Sequence, residues 1–138
     1  MNQPIEGSCL CGTLRYRASG HLDIFQYCHC SRCRKFTGSA HAANLFVKPE
    51  DFQWLSSTES LGRYEPADSR YFATSFCNNC GSSMPWLAKG GKVVVIPAGT
   101  LDQIPDIRPS QNIFCNSRAE WYRSAAELPE YDQLPPRR

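Results

Sequence analysis

At 138 residues the chain has the length of one ordinary domain, with room for a single hydrophobic core. Apolar residues make up 41% and charged residues 20%, globular proportions that exclude a disordered or fibrous class. The formal net charge of +2 gives weak support for a polyanionic partner, and the longest apolar run, Val93–Ile96, is far short of the roughly 20 residues of a membrane span.

The start, Met1-Asn2-Gln3-Pro4-Ile5-Glu6-Gly7, lacks the basic region and apolar stretch of a secretory signal, so a cytoplasmic location is expected. In that reducing setting, clustered cysteines point to metal ligands rather than to a disulfide framework. Cys9-Leu10-Cys11-Gly12 is the first cluster. Thr13–Ser19 follows, alternating Leu14, Tyr16 and Ala18 with polar neighbours in the period of a half-buried strand. His21 reads as a solvated turn residue. Cys28-His29-Cys30-Ser31-Arg32-Cys33 is the second cluster, and Ser31–Phe36 predicts a helical turn ending near Gly38. Further strands are expected at His41–Val47, Leu61–Tyr64, Phe72–Phe76 and Lys92–Pro97, separated by Gly, Pro, Ser and Asp.

Cys77-Asn78-Asn79-Cys80-Gly81 is the third cluster. The eighth cysteine, Cys115, stands apart, either completing the second cluster's site or serving as a small buried residue. Ser117–Leu128 predicts a terminal helix capped by Ser117, with Glu120 three residues on. The stretch 128–138 holds three prolines and few large apolar residues, the composition of a loose tail. With no repeat and no long linker, residues 1–138 read as one all-β, antiparallel domain with a short C-terminal helix.

Cys77 and Cys80 have the spacing that turns two thiolates toward one ion, and zinc takes sulfur ligands tetrahedrally at about 2.3 Å. A glycine follows each of the two pairs, where the backbone often needs a positive φ. Together Cys9, Cys11, Cys77 and Cys80 supply four thiolates, enough to close a structural site. Cys28, Cys30 and Cys33 put three sulfurs within six residues and leave a fourth position open, the usual arrangement of catalytic zinc. Core filler would not group this way, and no βαβ pattern surrounds a redox Cys-x-x-Cys. Spacing also allows Cys9 and Cys11 to share an ion with part of the middle cluster. His29 and His41 are further candidate ligands, although His29, between two ligating cysteines, is expected to turn away.

Three stretches carry a resemblance: 7–16, reading Gly7-Ser8-Cys9-Leu10-Cys11-Gly12-Thr13-Leu14-Arg15-Tyr16; 28–40, from Cys28 to Ala40; and 76–82, from Phe76 to Ser82. Their order and spacing, over roughly Ile5 to Tyr122, resemble the glutathione-dependent formaldehyde-activating enzyme family, which shares its domain with centromere protein V. The resemblance implies small antiparallel sheets folded over two zinc ions. It also implies that Cys9, Cys11, Cys77 and Cys80 hold the structural zinc, and Cys28, Cys30 and Cys33 the catalytic one. One position departs from the family pattern: Asn112 stands where histidine is frequent, while Arg118 and Trp121 keep the later positions.

The implied activity is that of a carbon–sulfur lyase of the S-hydroxymethylglutathione synthase kind, adding a thiol such as glutathione to formaldehyde or a related small carbonyl. Its partners are then a glutathione-like thiol and a small aldehyde, with no membrane and no nucleic acid expected. Arg32, Arg34 and Lys35 are candidate partners for the thiol's carboxylates. Thr37 and Ser39 could hydrogen-bond substrate, or could simply build a turn. The alternative is a non-enzymatic zinc module that binds protein or nucleic acid. Three thiolates donate charge and leave zinc less Lewis-acidic than histidines do, so strong hydrolytic chemistry fits poorly.

Overall fold

The structure, a computed structural model, describes residues 3–137; Met1, Asn2 and Arg138, at the ends of the expected domain and tail, lie outside the described residues. In chain order the elements are β1 (Ile5–Ser8), β2 (Arg15–Ala18), β3 (Phe25–Cys28), α1 (Ser31–Thr37), β4 (Ala42–Val47), β5 (Phe52–Trp54), β6 (Leu61–Tyr64), β7 (Thr74–Cys77), β8 (Ser83–Met84), β9 (Trp86–Leu87), β10 (Val94–Pro97) and β11 (Gln111–Ile113). They make three small sheets, ordered β1-β2-β5, β11-β3-β4-β10-β9 and β6-β7-β8. Every pairing between these strands is antiparallel except that of β11, which runs parallel to β3. No described helix is long and apolar enough to cross a membrane.

The alternation in β2 works as the sequence implies. Tyr16 and Ala18, together with the preceding Leu14, point into a core shared with Leu45 and Val47 of β4, Met84 of β8 and Ile96 of β10. Fully burying each large apolar side chain contributes about 1.5–3 kcal/mol. Tyr16 also carries a hydroxyl into that core. It donates to Thr100 Oγ1 at 2.6 Å, and Thr100 donates in turn to the Pro97 carbonyl at 2.7 Å, so the phenol is satisfied. Burial pushes the Tyr16 hydroxyl's pKa above its ordinary value.

Room for that ring comes from Gly7, its cross-strand partner on β1. A Cβ at Gly7 would strike the Tyr16 hydroxyl and the Thr100 carbonyl, and the backbone oxygen has little freedom to move. Gly7→Ala is therefore expected to destabilise the domain by about 1–3 kcal/mol through overpacking. Urea denaturation checks this, and an unchanged midpoint would contradict it. Gly62 does the same for Phe76 across the β6–β7 pair, since a Cβ there would meet the phenyl ring.

The five expected strands are present with ends shifted by up to two residues. The helical turn after the second cluster is α1, ended by Gly38 at φ 67°, whose N–H bonds the Arg34 carbonyl. The terminal helix over Ser117–Leu128 does not form as an α-helix. Two 3-10 turns, Cys115–Ser117 and Ala125–Glu127, stand in that region. Ala119 is buried there, but Trp121 and Leu128 are largely exposed, so no apolar stripe docks to stabilise a short helix. Residues 128–137 are exposed and without regular structure.

Candidate metal centres

Two turns bring the first group together. Cys9 and Cys11 lie in the turn after β1, where Gly12 adopts φ 81° and donates to the Cys9 carbonyl at 3.0 Å. Cys77 ends β7 and Cys80 sits in the hairpin leading to β8. There Gly81, at φ 78°, donates to the Cys77 carbonyl at 2.8 Å. The positive φ at both glycines is what lets each turn fold the pair of sulfurs to one side. The two turns then grip each other. Leu10 N–H donates to Ser82 Oγ at 2.9 Å, and Asn79 Nδ2 donates to Cys11 Sγ at 3.2 Å.

The result is four sulfurs, Cys9, Cys11, Cys77 and Cys80, within 4.8 Å of one another. Hydrogen bonds from Thr13 and then Asn79 bring the Cys11 thiol down to about 7, and those from Ser82 bring Cys80 down to about 5. The thiolates favoured at Cys11 and Cys80 suit a divalent cation, while burial pushes the Cys77 thiol up.

The second group is local. Cys28 ends β3, Cys30 caps α1 by accepting the Cys33 N–H at 3.3 Å, and Cys33 lies in the first turn of the helix. Their sulfurs also lie within 4.8 Å, with Cys28 and Cys33 buried and Cys30 half-buried. Thiol hydrogen bonds from Cys28 and then Cys33 hold Cys30 down at about 2. The same contacts, with Cys28 first, and then burial push Cys33 upward. Three crowded sulfurs thus share protons among themselves, and a cation is the group that would let all three ionise together. Both donor sets fit a metal ion. The grouping is four plus three, which resolves the alternative in which Cys9 and Cys11 join the middle cluster.

Among the described residues, no histidine belongs to either group. His29 turns away as expected and is fully buried. Its Nε2 lies 2.9 Å from Asn112 Oδ1, an oxygen that can only accept, so Nε2 carries the hydrogen; Nδ1 is buried without a partner among the described residues. The ring stands edge-on to Tyr122 at 5.3 Å and against His41 at 5.0 Å, and His41 stacks on Tyr27 at 4.3 Å. Asn112 reaches this place because β11 pairs with β3, opposite Tyr27, while Ile113 O accepts the His29 N–H. The sequence marks Asn112 only as a departure from a pattern. Its partner lies 83 residues away and carries no local signal.

Cys115 fills neither of its expected roles. It is exposed on a 3-10 turn, outside both groups. Thr37 Oγ1 donates to the Cys33 carbonyl at 2.8 Å and accepts the Ser39 N–H at 3.1 Å, which is turn-building. His21 is exposed and pairs with Asp23 at 2.7 Å. Arg118 lies over the Tyr122 ring at 5.5 Å, and Trp121 is exposed. Of the basic residues beside the second group, Arg32 and Lys35 border a groove between α1 and the β6-β7-β8 sheet, whereas Arg34 does not, and its Nε is buried without a partner among the described residues.

The sequence model of a family described as glutathione-dependent formaldehyde-activating enzyme matches residues 4–117. A Schizosaccharomyces pombe protein named an uncharacterized lyase is 32% identical over 88 residues, covering 63% of this chain and 60% of that protein. A Halomonas elongata protein provisionally named a glutathione-dependent formaldehyde-activating enzyme is 33% identical over 89 residues, covering 58% of this chain and 54% of that one. The matches thus span less than two thirds of the length of these relatives. A solved structure of a Rhodobacter sphaeroides protein superposes with a TM-score of 0.61 at 20% identity, covering 78% of this chain and 99% of that one, and shares the fold.

Proposed function

The chain belongs to the glutathione-dependent formaldehyde-activating enzyme family, and from that premise we propose that it joins a glutathione-like thiol to formaldehyde or another small carbonyl, with zinc at both cysteine groups. The observation that carries the reading is the second group: three sulfurs within 4.8 Å, one half-exposed, and no fourth His, Cys, Asp or Glu ligand among the described residues. In the forward direction the thiol sulfur's electron pair forms a bond to the carbonyl carbon. The C=O pair moves to oxygen, and the thiol's proton ends there. The reverse breaks the carbon–sulfur bond, which makes the enzyme a lyase by class.

Cys28, Cys30 and Cys33 would hold the zinc, whose positive charge would favour the thiolate over the thiol at neutral pH. The residues around it supply the rest. Cys30, half-buried, leaves a side for a ligand to approach, while Phe72 and Ile113 pack against the group and limit water. Asn112 holds the buried His29 ring beside the ligands, and through it the direction of the Cys28–Cys30 turn. Arg32, Arg34 and Lys35 orient anionic groups of the substrates. Cys9, Cys11, Cys77 and Cys80 hold a structural zinc. A cytoplasmic setting, rich in reduced thiols, suits this chemistry.

A thiol that binds as thiolate must give up its proton. Calorimetry of glutathione binding to the zinc-loaded protein, in buffers of different ionisation enthalpy, is expected to reveal about one proton released per site. S-methylglutathione, which cannot ionise at sulfur, should bind far more weakly. Equal binding of the two, or binding only of nucleic acid with a steep salt dependence, would replace the enzyme with a binding module.

A further inference from the structure

One groove next to the second cysteine group offers more aromatic surface than glutathione and formaldehyde would use. It has a volume of about 510 Å³ and runs between α1 and the β6-β7-β8 sheet. Four rings, Phe36, Tyr64, Phe72 and Phe76, are part of its lining, and Arg32 and Lys35 stand at its border. Phe72 connects it to the chemistry, since the same ring that lines the groove packs against the cluster of Cys28, Cys33 and Ala42. The walls are built into the fold. Gly62 leaves space for the Phe76 ring, and Ser83 Oγ ties β8 to α1 through the Phe36 carbonyl at 3.2 Å.

The charges at the border are poorly neutralised. Arg32 Nη2 lies 3.4 Å from both the carbonyl and the Oδ1 of Asp68, a long contact to a side chain that is itself 85% exposed. Lys35 makes no ion pair with any described residue. Formaldehyde is far too small to use such a groove. The glutathione tripeptide is equally ill-suited, because its amide groups would face aromatic rings and lose the hydrogen bonds they make in water. What matches four rings and two cations is a flat or branched apolar body that ends in an acid.

We propose that this groove is the seat of the second substrate, and that the physiological carbonyl compound is an apolar aldehyde or ketone bearing a carboxylate, its rings or branches among Phe36, Tyr64, Phe72 and Phe76 and its acid at Arg32 and Lys35. The assignment rests on the thiol–carbonyl reading above for its role, but the binding itself needs no thiol. Arg32 and Lys35 are thereby specificity residues for the carbonyl partner.

The test uses the zinc-loaded protein, labelled with ¹⁵N, and an inert probe, 3-phenylpropionate, with 3-phenylpropanol as its uncharged counterpart. The acid is expected to shift amide signals of residues 32–36, 74–76 and 81–83 in a saturable way, and to bind about tenfold more tightly than the alcohol. The Arg32→Gln/Lys35→Gln double variant, altered only at exposed positions, should lose that advantage while binding the alcohol unchanged. Saturating glutathione should leave the acid bound. Any of the following overturns the proposal: equal binding of acid and alcohol, an unaffected double variant, no saturable shift, shifts confined to residues 28–30 and 113, or complete displacement of the acid by glutathione. If the acid binds as stated but glutathione releases no proton, the groove stands as an anion site and the thiol–carbonyl reading is what fails.

Discussion

Cys80→Ser is expected to leave the chain unfolded or insoluble. The turn after β1 and the β7–β8 hairpin belong to different sheets, and Cys11 and Cys77, which face each other at 3.9 Å, are 66 residues apart in sequence. Hydrogen bonds of Leu10 and Asn79 tie the two turns across that junction. Those are worth about 0.5–1.5 kcal/mol each. Structural zinc in small zinc peptides carries about 10–16 kcal/mol of apparent free energy, comparable with the whole net stability of a domain at about 5–15 kcal/mol. Loss of one thiolate from the four should therefore exceed what the rest of the fold can absorb. Far-UV circular dichroism and soluble yield read the outcome. A folded Cys80→Ser protein that still held two metal ions would show that this group is not what clips the sheets together.

Cys33→Ser is expected to behave in the opposite way: a folded protein with one metal ion per chain instead of two, and glutathione binding weakened on the order of a hundredfold or more. The three sulfurs come from one short stretch, 28–33, so no distant segments separate when their ion leaves. β3 stays held between β4 and β11 by the backbone ladder. Even residues that merely support a metal ligand typically account for 10–100-fold in affinity, and a ligand itself should matter at least as much. Elemental analysis and calorimetry on the same sample separate the two effects. Damage equal to that of Cys80→Ser would remove the distinction between a structural and a catalytic group, whereas unchanged thiol binding would show that the thiol docks elsewhere.

Where the chemistry depended on neighbours in sequence, the chain could be read directly. Cys28, Cys30 and Cys33 converge because a strand end and one helical turn place them, and each cysteine pair followed by glycine folds its sulfurs to one side through a positive φ. The alternation of Leu14, Tyr16 and Ala18 likewise needs only the two-residue period of a strand. Strands such as Trp86–Leu87 and Gln111–Ile113 leave no mark in the sequence because two or three residues hold too few repeats to set a period. The expected helix over Ser117–Leu128 failed for a related reason: its capping signal was local, but its stability required an apolar face to dock, and Trp121 and Leu128 found none.

The sequence by itself determined which cysteines stand together along the chain, because that is a matter of short tethers and turn chemistry; that Cys9 and Cys11 meet Cys77 and Cys80 was decided by the tertiary structure. Only the tertiary structure decided what surrounds them: that Asn112 meets His29 across a parallel pairing of β11 with β3, that Cys115 stays exposed, and that Phe36, Phe72 and Phe76 from separate segments face one groove. Those placements depend on contacts between residues dozens of positions apart, whose free energy comes from burial and pairing in the folded chain and leaves no periodic trace along it.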